Sequence, residues 1–238
     1  MKQNITNDLE SLNQTALASN SILGSGPLPS IPTGEVNLIE SSDVAGNVID
    51  CTELHVLYPR YGGERTQPMC FHVANTEDLV AAVLHHAQSD QLVLVQQFRP
   101  AALLRDGACR STWNQQLWQT EVVAGALPCG ADPESVIRQE ILEETGCRIA
   151  NLTQVCEFYV NPALLASRVY LYFCEIAELP TVELHGREDE GEDIRVLTIS
   201  VDTAIEWAVS GRLHNSLTLL AISLFAVERS RAPSQTLK

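Results

Sequence analysis

The segment that most constrains the fold is DPESVIRQEILEETG, residues 132–146. Asp132 followed by Pro133 is a helix start: an acid able to accept from free backbone N–H groups, then a proline whose fixed φ suits the first helical position. Gly146 supplies the left-handed residue that ends helices. Between them Ile137 and Ile141 lie one turn apart and define an apolar stripe. At about 100° per residue, Glu140 and Glu144 project roughly 60° and 20° to one side of Ile137, with Glu143 further round. A wholly solvated acidic face would lie opposite the isoleucines. These acids border the buried stripe instead.

That placement has an electrostatic consequence. Exposed carboxylates one turn apart repel by roughly 0.2–0.5 kcal/mol. Against an apolar wall the repulsion rises to the order of 4 kcal/mol at close approach. Either the acids change protonation or a cation sits among them. Oxygen donors without His or Cys suit a hard ion such as Mg²⁺ or Mn²⁺. Spacing alone leaves both readings open, a solvated face and a cation site.

The rest of the chain reads as a mixed α/β protein. Residues 1–45 are rich in Ser, Asn, Gly, Pro and Thr and form an extension without a core. Residues 46–78 hold two short strands, CTELHVLYP and MCFHVA, as a small N-terminal module. From residue 79 to 232 strands and helices alternate. AAVLHHA and QLVLVQQF form a hairpin, and LWQTEVVAG is the strand before the glutamate helix. TQVCEFYV, SRVYLYFCEI and IRVLTIS are further strands, with the acidic loop GREDEGED before the last. Two helices follow, one capped by Asp202 and one by Asn215. Frequent hairpins imply a mixed sheet with helices on its faces.

Charge and cysteine usage narrow the function. The formal net charge is -15, which disfavours nucleic acid and anionic membrane surfaces. A phosphorylated ligand would therefore need a cation to screen it. No apolar run reaches membrane-spanning length, and the amino-terminal residues resemble no export signal. The seven scattered cysteines contain no CxxC and read as buried reduced thiols. A cytoplasmic location is expected.

The spaced pattern Gly125, Glu140-Ile141, Glu143-Glu144, Gly146-Cys147 resembles the signature of the Nudix hydrolases. LVLVQQFRP, EVVAG and EGEDIRV are similar to segments of the branch that cleaves ADP-ribose and other nucleoside-diphosphate sugars. The resemblance spans roughly residues 51–230. It implies a Nudix fold, a mixed sheet sandwiched between helices, and hydrolysis of a pyrophosphate bond. It implies Mg²⁺ or Mn²⁺ held by Glu140, Glu144, Glu192 and the Ala124 carbonyl, with Glu143 a ligand or a supporting acid. Glu190 becomes the general base, and Arg99 and Glu121 become substrate-binding residues. A homodimer whose amino-terminal strands reach the partner's site is implied too.

Two signature positions depart. The loop glutamate is Ala131, and the arginine before Glu140 is Gln139. Position 139 lies one turn before Glu143, about 40° away, so an arginine there would buttress that acid. Arg138 projects from the far side and cannot replace it. VNPALLASR also lacks the Ser-Pro-Gly run of the ADP-ribose branch, and its Ser-Arg ending resembles relatives acting on other nucleotide sugars. The alternatives are therefore a UDP-glucose or GDP-mannose type pyrophosphatase, or a nucleotide-sugar sensor without efficient chemistry. A cap or polyphosphate hydrolase would want more basic surface.

Several other residues have ordinary readings. GREDEGED alone would be a solvated turn, and it lacks the alternating acids of an EF-hand. His85 and His86 lie at a hairpin end. Trp113 and Trp118 serve adenine stacking or packing, and Cys129 has no base partner in sequence.

Overall fold

The computed structural model describes residues 50–101, 117–187 and 191–231. Strands β1 (Asp50–Val56) and β2 (Met69–Asn75) form a separate antiparallel ribbon. The remaining strands are β3 (Asp78–His86), β4 (Gln91–Phe98), β5 (Trp118–Glu121), β6 (Val123–Leu127), β7 (Ile149–Tyr159), β8 (Arg168–Ile176), β9 (Leu184–His185) and β10 (Ile194–Ser200). They make one mixed eight-stranded sheet in the order β7-β8-β3-β4-β10-β9, with β5 against β4 and β6 against β3. The helices are α1 (Pro133–Thr145), α2 (Val201–Val209) and α3 (Ser216–Arg231). The mixed sheet between helices is the architecture expected from sequence.

Side-chain alternation along β3 builds the layers. Val80, Ala82 and Leu84 face one core with Ile137 and Ile141 of α1. Ala81 and Val83 face the other, with Ala204 and Trp207 of α2 and Ala221, Ile222 and Phe225 of α3. All five of these β3 residues are fully buried, so this strand is the centre of the molecule. Its only parallel neighbour is β8 among the described residues, paired from Leu79↔Val169 to His85↔Glu175. Asp78 fixes that register by accepting from the Arg168 backbone N–H at 2.8 Å and from its guanidinium at 2.8 Å.

The sheet is opened where the site lies. β3 pairs with β4 only through residues 84–86, and its first half pairs with β6 instead. β4 likewise turns from β3 to β5 along one edge. LWQTEVVAG is therefore two short strands and not one. The break falls at Val122, whose N–H donates to the Thr218 hydroxyl of α3 at 3.1 Å. That bond satisfies the N–H at the break, and it fixes α3 beside the opening.

The hairpin of β3 and β4 stands as expected, turning at Asp90 with φ 54. The Asp90 carboxylate pairs with Arg229 near the end of α3, and its carbonyl accepts from Val201 N–H at 3.1 Å. Asp202 is not the cap of α2. Ser200 is, accepting from Thr203 N–H at 3.1 Å, while Asp202 sits in the first turn. Asn215 caps α3 as expected, accepting from Thr218 N–H at 2.9 Å. The cysteines depart from the expectation of uniform burial. Cys147 and Cys174 are buried and Cys156 half-buried, but Cys51, Cys70 and Cys129 are exposed; all six are free thiols. No helix among the described residues is long and apolar enough to cross a membrane.

Candidate active site

Helix α1 has the ends that its sequence predicts. Asp132 accepts from Ser135 N–H at 2.9 Å, and Gly146 closes the helix with φ 65 and an N–H to Leu142 carbonyl bond of 2.9 Å. Ile137 and Ile141 are fully buried. Glu144 shares their depth, with a relative exposure of 2%. Glu140 and Glu143 are half-buried at the stripe's border.

The helix lies directly on β6 at Gly125. A Cβ at that position would fall 2.6 Å from Glu140 Cγ and closer still to its carboxyl group. The glycine of the sequence pattern is therefore a space requirement, because any side chain would expel Glu140 from its seat.

The carboxylates converge on one cavity of about 780 Å³. Its lining includes Arg99 and Gln97 from the end of β4, Glu121 from β5, Ala124 and Gly125 from β6, and Glu140 and Glu144 from α1. Glu192 enters from the loop before β10, and His214, Asn215 and Thr218 come from the start of α3. Glu143 is not part of the lining. Glu190 lies outside the described residues, as does Trp113. Trp118 is half-buried and packs edge-on against Phe98 at 5.2 Å.

Among the described residues, four carboxylates and one guanidinium face this space, and the carboxylates are not equivalent. Glu121 is buried but satisfied: it accepts from Arg99 at 2.8 and 3.1 Å, from Asn215 Nδ2 at 2.8 Å and from Gln97 Nε2 at 3.3 Å. Its acceptor capacity is spent on holding the Arg99 guanidinium at the cavity wall. Glu192 accepts from Arg187 N–H at 3.2 Å, across a turn at Gly186 whose φ is 107. Glu144 has no such support. Its Oε2 is buried without a hydrogen-bond partner. Burial, then the neighbouring charges of Glu140 and Glu192, push its pKa up to about 9. An ionised, unpartnered carboxylate at this depth is strongly unfavourable without a counter-ion. The donor set is all oxygen, and one buried oxygen is unclaimed, so a hard divalent cation fits the residues present.

The two departures from the signature have different consequences. Gln139 Nε2 donates to Glu143 Oε1 at 2.9 Å, so a neutral amide buttresses that acid in place of an arginine. Arg138 turns away to pair with Glu134 at 2.7 Å. Ala131 packs on the core beside α1 and offers no donor. Ser167 and Arg168, which end VNPALLASR, are committed to β3 through Glu77 and Asp78 and lie outside this cavity. Sequence reasoning missed Gln97 and Asn215 as partners of Glu121. Asn215 was legible only as a helix cap, and its second bond depends on α3 meeting β5.

No family model matches the chain. It is 28% identical to the ADP-ribose pyrophosphatase of Haemophilus influenzae, over 60% of this chain and 63% of that protein. It is 30% identical to the ADP-ribose pyrophosphatase of Escherichia coli strain K12, over 56% and 60%. The GDP-mannose pyrophosphatase of Salmonella arizonae is 28% identical over 59% of this chain and 69% of its own length. The chain thus spans about three fifths of the length of the ADP-ribose pyrophosphatases it matches. A crystal structure of an ADP compounds hydrolase superposes with a TM-score of 0.57 at 13% identity, covering 84% of this chain and 97% of the other. The chain therefore has the Nudix fold, and its sequence is related to that of pyrophosphatases acting on nucleoside-diphosphate sugars.

Proposed function

We propose that the protein hydrolyses the pyrophosphate bond of a nucleoside-diphosphate sugar in a Mg²⁺- or Mn²⁺-dependent reaction, with ADP-ribose, giving AMP and ribose 5-phosphate, as the leading substrate. The observation that carries this reading is the buried, unpartnered Glu144 carboxyl beside Glu140 and Glu192, in a cavity faced by the anchored Arg99 guanidinium. The similarity to ADP-ribose pyrophosphatases supports the substrate class.

Glu140, Glu144, Glu192 and the Ala124 carbonyl would hold the cation, with Glu143 supporting the acidic face of α1. The ion would neutralise the diphosphate and polarise the scissile P–O bond. Glu190, two residues before Glu192, is assigned as the base that takes the proton of the attacking water. Arg99 orients a phosphate or the terminal sugar, and Glu121 keeps it aimed through three hydrogen bonds. Without a cation, the carboxylates of Glu121, Glu140, Glu144 and Glu192, facing Arg99 among the described residues, would repel a diphosphate.

A homodimer belongs to the same reading. Leu54, Val56, Met69 and Phe71 present an exposed apolar face on the β1–β2 ribbon, which a second copy would cover. The similarity to a GDP-mannose pyrophosphatase supports that substrate as the alternative. Incubation of the protein with a nucleotide-sugar panel under Mg²⁺ and then Mn²⁺ tests the proposal. Release of AMP from ADP-ribose is expected. No turnover of any member, with tight ADP-ribose binding by calorimetry, would replace the enzyme with a sensor.

A further inference from the structure

The β1–β2 ribbon is amphipathic in a way that the proposed reaction does not use. Its register pairs Glu53 with His72 and His55 with Cys70. Residues two apart on a strand share a face, so these four side chains form one square array. The opposite face carries Leu54, Val56, Met69 and Phe71. The donor atoms already meet. His55 Nε2 lies 2.7 Å from one Glu53 oxygen, and His72 Nε2 lies 3.2 Å from the other. Ligand atoms of Glu53, Cys70 and His72 all fall within 4.8 Å of one another.

We infer that this face is a second metal site, distinct from the carboxylate cavity, taking Zn²⁺ through Glu53, Cys70 and His72. The donor chemistry selects the ion. Thiolate and imidazole favour a borderline-soft divalent cation over Mg²⁺, and three or four such donors suit a tetrahedral centre. The position gives the ion a task. A two-stranded ribbon is marginal by itself, and a centre drawing Glu53 from β1 and Cys70 and His72 from β2 would cross-link the strands on the side away from the apolar face. Binding releases the Cys70 thiol proton to solvent. The site does not depend on the proposed hydrolysis.

The test uses the full-length, tag-free protein in excess Mg²⁺, so that the carboxylate cavity is supplied with its own ion. Co²⁺ serves as the optical probe and Zn²⁺ as the ligand. One equivalent of Co²⁺ should give a thiolate-to-metal charge-transfer band that disappears in Cys70→Ser. Zn²⁺ should slow alkylation of Cys70 by about tenfold or more while Cys129, an exposed thiol outside the ribbon, reacts unchanged. His72→Ala, which removes one of the three donors, should weaken both effects by at least the roughly tenfold that losing a group which only supports a ligand costs. Circular dichroism of the variants checks that these exposed substitutions leave the fold intact. Absence of the band in the wild-type protein would overturn the site. So would equal protection of Cys70 and Cys129, or protection that survives Glu53→Gln combined with His72→Ala.

Discussion

The cavity under α1 and the outer face of the β1–β2 ribbon both place a glutamate among candidate metal donors, yet they differ in how its charge is accommodated. Glu144 is buried, lies near two further carboxylates and has an oxygen with no partner. Glu53 is exposed, and two imidazoles engage its oxygens, so its pKa falls below the usual carboxylate range. Desolvation makes the difference. In water an acid needs nothing from its neighbours, whereas in the core it must be protonated, paired or bound to a cation. Burial thus marks the cavity as a place where a cation is demanded, while the ribbon offers donors to an ion it can do without.

The sharpest way to break this contrast is Glu144→Gln. Turnover should fall by well over a hundredfold, beyond the range of about 10–100-fold for residues that only support metal ligands. The same change should raise the thermal midpoint of the metal-free protein, because it removes a buried group whose ionisation is disfavoured. Glu53→Gln should leave that midpoint where it is. A Glu144→Gln protein with ordinary rates, or one less stable than the parent without metal, would remove the distinction.

Next in size is the effect of pH. Glu144 holds its proton to about 9 in the folded chain, against an ordinary value of 4.5. Between those values the folded state binds the proton that the unfolded state has released. The metal-free protein should therefore lose stability as pH rises through that window. Mg²⁺ should bind more tightly over the same range and expel the proton. Calorimetry in buffers of different ionisation enthalpy would detect proton release near neutrality. No release would place the ion away from Glu144.

Gly125→Ala should act through position alone. Its methyl would meet the Glu140 carboxyl group and force that flexible side chain to turn away. Weaker Mg²⁺ binding with little change in thermal stability is expected, and parent-like Mg²⁺ binding would refute the tight seat of Glu140. The smallest effect belongs to Gln139. Gln139→Ala should lower kcat by about tenfold or less, and Gln139→Arg should match or exceed the parent, since either polar residue buttresses Glu143. Equal rates in all three would make that hydrogen bond idle.

Much of α1 was legible before any coordinates. A capping acid before proline, isoleucines one turn apart and a closing glycine determine a helix with one buried stripe, because those constraints are local. The hairpin of β3 and β4 was legible for the same reason. The kink at Val122 was not, since it depends on a hydroxyl from α3, far along the chain. Nor was the start of α2, where Ser200 and Asp202 are both competent caps and only the end of β10 selects between them.

At the site, the sequence by itself determined which residue types were available and that Glu140 and Glu144 would border the core. Only the tertiary structure decided their different states. Glu121 and Glu144 are both buried glutamates, but one receives Arg99, Gln97 and Asn215 and the other keeps an unclaimed oxygen. Hydrogen-bond satisfaction in a low-dielectric interior depends on which distant segments converge, and no local pattern encodes that convergence.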